Sequence, residues 1–205
     1  MKQLNDIFSI VRTMQRVFKI KDSIAVSLFS GFLGTLVMDA LNYLFWKNRK
    51  TEALYGHIAG SVYVRPFRTN QRKNFWLGQI THHITGAALA IPLTLILKKT
   101  GKDYLALKGA FFGSITWELI YGMGQRFSVF STKPHMTKTH FAELFNNTLY
   151  GITTAYAIAT FSEPSAFLDI QSKTTDAQNK QNNTIQPIYS DTNYNVENSD
   201  AYGFD

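Results

Sequence analysis

The chain has 205 residues, a formal net charge of +7 and no cysteine. The lack of cysteine excludes disulfides, thiolate metal sites, iron–sulfur ligation and covalently attached haem. The basic charge predicts contact with the anionic headgroups of a lipid bilayer. No nucleic-acid-binding motif is recognisable, so we expect no nucleic-acid partner.

Residues 1–22 predict a basic amphipathic helix that lies in the headgroup plane of a membrane. Apolar side chains recur there at helical spacing, with basic side chains among them. They are Leu4, Ile7, Phe8, Val11, Met14, Val17 and Phe18, with Arg12, Arg16 and Lys19. The alternative is a helix that packs on a soluble partner.

Four predominantly apolar stretches follow, at about 24–46, 76–97, 108–124 and 140–161. A helix needs about 20 residues to cross about 30 Å of hydrocarbon, and each stretch is near that length. The third stretch is the shortest and the fourth is the most polar. We therefore predict an all-α, polytopic membrane protein in which residues 23–161 form a bundle of four transmembrane helices.

The connection between the first two stretches, residues 47–75, is long enough to have structure of its own. Thr51 is expected to cap a short helix that runs through Tyr63. Two interpretations of Tyr55, His57 and Tyr63 stay open. They form a lid over a pocket, or they are loop residues with no role.

Polar side chains within the apolar stretches are the candidate ligand-binding residues. They are Asp39, His82, Glu118, His140, Glu143 and Asn147. Ionisable groups at membrane depth are costly and mark functional sites. Helical phase, at about 100° per residue, turns these side chains toward the interior and leaves His83 at the margin of its face. Because the spans are antiparallel, the charged groups lie toward one end, which predicts a polar pocket open to one aqueous side.

A bound metal or haem would make this pocket catalytic. The candidate metal ligands are His82, His140 and Glu143, with Asp39 and Glu118 as further oxygen donors, a set that suits zinc, iron or manganese. Two inward histidines would equally serve as axial haem ligands. No nucleophile elbow, phosphate-binding glycine loop or dinucleotide fingerprint is present in the sequence, so catalytic residues and cofactor stay unassigned.

The last segment, residues 162–205, is rich in Asn, Gln, Ser, Thr and Asp. Such a segment cannot bury enough apolar surface to offset its ordering entropy, so we predict a disordered, acidic, polar tail. The tail could recruit a partner protein, and a homo-oligomer is equally open.

The Lys and Arg residues do not fix the orientation in the membrane. With the amino terminus inside, eleven lie on the inner side and ten on the outer side. The basic start and the long tail favour cytoplasmic termini, and hence a multi-pass protein of the cell (inner) membrane.

Short motifs in the four stretches carry a family resemblance. They are Gly34-Thr35-x-x-Met38-Asp39, His82-His83-x-x-Gly86, Gly109-Ala110-x-x-Gly113, and His140 followed by Tyr150-Gly151. Residues 24–161 resemble the four-helix bacterial inner-membrane proteins of the YagU-like kind. The resemblance implies a four-helix membrane fold and a bacterial membrane location, and it implies no activity.

Three classes of function stay open. The first, which we favour, is a non-enzymatic membrane protein whose one-sided pocket binds or moves a small ligand or protons. The second is a structural or regulatory membrane subunit whose polar residues join helices and whose tail recruits a partner. The third is a metal- or haem-dependent membrane enzyme.

Overall fold

A computed structural model describes residues 20–132, 134–163 and 167. The predicted amphipathic helix at 1–22 and the predicted tail at 162–205 lie almost wholly outside these residues. Within the described residues the regular structure is helical and includes no strand, apart from an isolated bridge between Ile20 and Ser162. The prediction of an all-α fold is therefore confirmed for this part of the chain.

The helices follow one another in chain order. They are α1 (Ser23–Lys47), α2 (Tyr55–Gly60), a 3-10 turn (Pro66–Arg68), α3 (Arg72–Thr100), α4 (Leu105–Thr116), a π-helical segment (Trp117–Gly122), α5 (Met123–Arg126) and α6 (Thr137–Phe161). Each predicted apolar stretch falls inside one long helical segment, whose ends lie within a few residues of it. Helices α4 and α5 and the π segment together make the third of these segments.

Two helix ends show why the chain turns where it does. The Asp22 carboxylate accepts hydrogen bonds from the amides of Ile24 (2.7 Å) and Ala25 (3.3 Å), which would otherwise lack partners at the start of α1. Helix α3 ends at Gly101, whose φ of 77° is strained for residues with a Cβ.

Thr51 does not cap a helix, contrary to our expectation. Helix α2 begins after Leu54 without a side-chain cap, and the Thr51 hydroxyl instead donates to Glu143 at 3.2 Å. The cap that this loop does supply serves a different helix. The Glu52 carboxylate accepts from the amides of His135 (2.8 Å) and Met136 (2.9 Å) at the start of α6, and so ties the loop to that helix.

The long segments pack in the order α3, α1, α6, α4. Glycines allow backbones to approach closely at these contacts: a Cβ on Gly31 of α1 would lie 2.6 Å from the carbonyl oxygen of Gly86 on α3. Helix α2 lies on α3, and α3 makes only light contact with α6. In the described part of the chain, no extensive contact joins α3 to α4 or to the π segment. The row of helices is therefore open between its two outer members.

Large apolar side chains lie on the outer surface of the helices as well as between them. Large apolar side chains are exposed along every long segment, among them Phe32, Leu44, Ile80, Ile84, Phe111 and Phe145. Polar side chains are buried between the helices, among them Ser30, Thr35, Asn42, Thr94, Asn146 and Thr154. Helices α1 and α3 are long and apolar enough to cross a membrane. This distribution is typical of helices whose outer surface meets lipid.

Candidate functional site

A cavity of about 190 Å³ lies among the helices. Helix α3 contributes His82, Thr85 and Gly86 to its wall, and the π segment contributes Ile120 and Tyr121. Leu89 of α3 also lines the cavity, and further wall residues on α1, α2 and α6 include Met38, Ile58, Asn147 and Tyr150. The wall is mostly apolar, with a small number of hydroxyl, amide and imidazole groups. Ligand pockets generally have this composition, in which a few polar groups orient a ligand that apolar walls hold.

Two histidines meet one carboxylate beside this cavity. His82 Nε2 lies 3.2 Å from Asp39 Oδ1, and His83 Nε2 lies 3.4 Å from Asp39 Oδ2. The Gln79 amide donates to Asp39 Oδ2 as well. The Asp39 side chain retains 21% of its exposure. Both oxygens of the Asp39 carboxylate thus have an imidazole Nε2 within 3.4 Å, although the contact with His82 does not have hydrogen-bond geometry.

The helical phase read from the sequence predicted the contact of Asp39 with His82 but not that with His83. It turned Asp39 and His82 toward the interior, and the structure brings them together. It left His83 at the margin, whereas the structure has His83 on the same carboxylate, with its Nδ1 3.0 Å from the Gln79 carbonyl oxygen. Adjacent residues of a helix project about 100° apart, so a single central carboxylate with two oxygens can reach both rings.

Tyr55 links this cluster to the cavity and to α6. Its ring stacks on His82 with centroids 4.4 Å apart, and it lines the cavity. Burial raises the pKa of the Tyr55 hydroxyl well above its ordinary value, and the nearby Glu143 carboxylate acts in the same direction. The hydroxyl therefore keeps its proton and can act as a hydrogen-bond donor.

The two other lid candidates are differently placed. His57 packs on Phe75 at 4.9 Å between ring centroids, and burial lowers the pKa of His57, which keeps its ring neutral near pH 7. Tyr63 is exposed, and its hydroxyl lies 3.1 Å from that of Thr81. Neither side chain lines the cavity. Within α2, Tyr55 and Ile58 supply the cover.

Glu143 occupies a separate, buried cluster. Its side chain has no exposure, and its Oε1 accepts from Asn42 (3.3 Å) and Thr51 (3.2 Å). In the described part of the chain, Glu143 Oε2 and both amide atoms of the buried Asn146 have no hydrogen-bond partner of good geometry. Sequence reasoning selected Glu143 and missed Asn146, although Asn146 lies one residue before the selected Asn147. Phase alone does not indicate that a side chain beside an inward stripe also points inward.

Glu118 lies apart from these groups. Its side chain is 46% exposed and pairs with Arg126 at 3.5 Å. It belongs to the π segment, whose wider turn breaks the regular 100° phase on which its predicted inward position rested. The neighbouring Arg126 then provides a partner on the outer surface.

His140 and Asn147 have different surroundings. The His140 ring lies 5.8 Å from that of Tyr121, edge to face. Asn147 lines the cavity, and its amide donates to the Glu143 carbonyl oxygen at 2.8 Å. The candidate metal ligands His82, His140 and Glu143 thus lie in three different environments. Among the described residues, no group of three or more His, Cys, Asp or Glu side chains is arranged to hold a metal ion.

Sequence reasoning gave no role to several cavity residues, notably Met38, Thr116, Phe130 and Tyr150. Tyr150 donates from its hydroxyl to the Gly86 carbonyl oxygen at 2.5 Å and so joins α6 to α3. A tyrosine on an interior face was the one available signal, because a buried phenol needs a partner across the helix contact.

No protein-family model matches the chain, and no curated protein or solved structure is significantly similar to it. The resemblance to YagU-like proteins therefore stays a prediction.

Proposed function

We propose that this chain is a multi-pass membrane protein, with four spans and no enzymatic activity, that binds a small ligand in the cavity between its helices. The observation that carries the proposal is a mostly apolar cavity with imidazole, phenol and amide groups in its wall, inside a set of helices whose outer surface is apolar. The exposed aromatic and aliphatic side chains support a lipid surround for all four long segments. The anionic headgroups of the bilayer remain the proposed surface partner for the basic loops.

The ligand-binding part of the proposal can be tested with benzene as a probe. Apolar cavities of about 150 Å³ bind benzene, and this cavity is of similar size. We expect benzene to raise the unfolding temperature of the purified protein in detergent. Thr85→Phe should abolish that rise by filling the cavity. Ile84→Phe is the matched control, because Ile84 is the preceding residue, faces outward and is 64% exposed.

The outcome separates binding from simple stabilisation. A benzene effect that Thr85→Phe removes and Ile84→Phe keeps supports the proposal. An equal effect in all three proteins would mean that benzene acts on the detergent, and the proposed site would be wrong. Reporter fusions in the loops at 48–54, 101–104 and 127–136 test the four spans, and successive loops should report opposite sides of the membrane.

A second candidate, proton binding or transfer, is favoured by one observation, the contact of His82 and His83 with Asp39. Imidazole and carboxylate side chains are the groups that proteins commonly use to bind and transfer protons. Proton uptake by protein in liposomes, compared between wild type and Asp39→Asn, would test it. Equal uptake by the two proteins would rule out this cluster as the proton site.

A further inference from the structure

The cavity lies where the row of helices is open. Its walls include α3 on one side and the π segment on the other, and these two elements make no extensive contact in the described structure. Two wall residues are exposed on the outer surface, Val62 at 45% and Ile120 at 40%. Leu89 on α3 is partly exposed as well. Thr81 and Thr85 of α3 are partly exposed wall residues too, so the rim combines large apolar side chains with two threonines and lies on the side of the helices.

The end of the cavity near the loops is covered. Tyr55 and Ile58 of α2 line it and are buried at 6% and 4% exposure, and Phe130 also lines the cavity from the segment after α5. Water approaching along the helix axes would meet these side chains first. A molecule already in the lipid would meet Leu89, Val62 and Ile120 at the rim, beside the threonines of α3.

Among the described residues, three polar atoms of the cavity wall lack a hydrogen-bond partner of good geometry: the hydroxyls of Tyr55 and Tyr121 and Nε2 of His82. The Tyr55 hydroxyl has Glu143 and Asn146 as polar neighbours and His82 Nε2 has the Asp39 carboxylate, so Tyr121 is the one of most interest for a ligand. Tyr121 is 6% exposed, and its hydroxyl has no hydrogen-bond partner in the described part of the chain. Its ring stacks on that of Trp117 at 6.3 Å and meets that of His140 edge to face at 5.8 Å between centroids. A buried, unpartnered hydroxyl is costly, so a bound group that accepts or donates one hydrogen bond would remove that cost.

We infer that the cavity takes a small molecule dissolved in the bilayer, about the size of a phenol and carrying one hydrogen-bonding oxygen, which enters between α3 and the π segment and pairs with the Tyr121 hydroxyl. This inference rests on the proposed function and adds the chemical class and route of the ligand. The cavity volume limits the size of the ligand, and the mostly apolar wall favours a lipid-soluble molecule. The unpartnered Tyr121 hydroxyl favours a ligand with one oxygen that can form a hydrogen bond.

Fluorine NMR on protein in lipid nanodiscs can test the chemical class with 4-fluorophenol and fluorobenzene as the probes. We expect Tyr121→Phe to weaken 4-fluorophenol binding about fivefold, the value of one neutral hydrogen bond, and to leave fluorobenzene binding unchanged. Comparing the two proteins for each probe cancels the unequal partition of the probes into lipid. Unchanged fluorobenzene binding also establishes that the variant is folded.

The route can be tested with a matched pair of tryptophan substitutions. Ile120→Trp places a bulky ring on the rim, whereas Leu119→Trp places it on the adjacent residue, which is 54% exposed and does not line the cavity. We expect Ile120→Trp to slow probe exchange at least tenfold, and Leu119→Trp to leave it unchanged. Equal exchange rates in the two variants would overturn the lateral route.

A spin label at position 120 provides a second measurement of the route. Because the chain has no cysteine, Ile120→Cys would carry the single label. Collisions of the label with oxygen, which concentrates in lipid, should exceed collisions with a water-soluble nickel chelate. The reverse result would indicate an aqueous entrance and overturn the inference.

The inference and the proposed function fail in different ways. If fluorobenzene binds and Tyr121→Phe affects neither probe, the cavity binds ligands but the assigned chemistry is wrong. If neither probe binds and benzene has no effect on stability, the cavity is not a ligand site and both proposals are wrong. Displacement of both probes by lipid acyl chains would assign the cavity to the lipid itself and would also overturn the chemical class.

Discussion

The two ends of the helices are packed in different ways. At one end, Leu93, Leu97, Ala155 and Ile158 form an aliphatic cluster in which each is fully buried. At the other end, Met38, Tyr55, Ile58, Tyr121 and Tyr150 form an aromatic-rich cluster around the cavity. We refer to them as the closed end and the cavity end. The closed end is filled by close packing, and its buried Ser27 and Thr94 hydroxyls bond to each other at 2.7 Å. The cavity end has empty volume and the unpartnered hydroxyls of Tyr55 and Tyr121, both of which reduce stability. An arrangement that costs stability at one end of the same helices is typical of a binding site.

The largest expected loss of stability comes from a substitution at the closed end. Leu93→Ala removes a fully buried side chain at the closed end and should lower the free energy of unfolding by about 2–5 kcal/mol, because a new cavity forms. Leu89→Ala, one turn earlier on α3, only enlarges an existing cavity and should cost less. Reversible unfolding in detergent measures both. Equal losses would mean that the two ends do not differ in packing.

Substitutions of Glu143 test how much the buried polar cluster contributes to stability. Glu143→Ala removes the closer acceptor of Asn42 and Thr51, which then keep only the Ala53 carbonyl oxygen at 3.4 Å, so we expect a loss of about 1–3 kcal/mol. Glu143→Gln keeps an acceptor oxygen for Asn42 and Thr51, and should be close to wild type. A large loss in Glu143→Gln would instead show that the charge itself is required.

Asp39 and Glu118 are a matched pair of acidic residues with different surroundings. Asp39→Asn disturbs the contacts with both histidines and should lower the free energy of unfolding by about 1 kcal/mol. Glu118→Gln affects only an exposed pair with Arg126, so its effect should stay within about 0.5 kcal/mol. If Glu118→Gln were the more harmful change, the position of Glu118 outside the cavity would be wrong.

The smallest expected effect concerns Glu52, which holds the loop over the cavity end. Hydrogen bonds from the Met136 amide, followed by that of His135, lower the pKa of Glu52 below its ordinary value of 4.5. A lowered folded-state pKa contributes stability above the unfolded-state pKa, and this contribution is lost as the pH falls through the folded-state value. Because the Glu52 carboxylate is exposed and water screens its interactions, Glu52→Gln should be less stable than wild type by only about 0.3 kcal/mol at pH 7.

The pH dependence provides the control for Glu52. Stability curves for wild type and Glu52→Gln should converge as the pH falls below about 4.5. A difference that persists at low pH would indicate that the substitution acts by packing and not by the carboxylate.

Sequence patterns indicated the positions of the long helices because apolar runs and helical phase are local properties. The same patterns indicated that Asp39 and His82 face inward, since both lie on regular α-helix. They placed Glu118 inward on the assumption of an unbroken α-helix, and the π segment removes the basis for that assumption. They assigned Thr51 to a local cap, whereas its hydroxyl bonds to Glu143, a partner distant in sequence.

The sequence by itself determined the helical class and the inward position of several polar groups, because both depend on residues three or four apart. Only the tertiary structure decided which of those groups meet. Asp39 meets two histidines, Glu143 meets Asn42 and Thr51, and Glu118 meets Arg126 on the outer surface. The gap between α3 and the π segment is likewise a product of helix packing order, and a one-dimensional pattern contains no information on which two helices fail to touch.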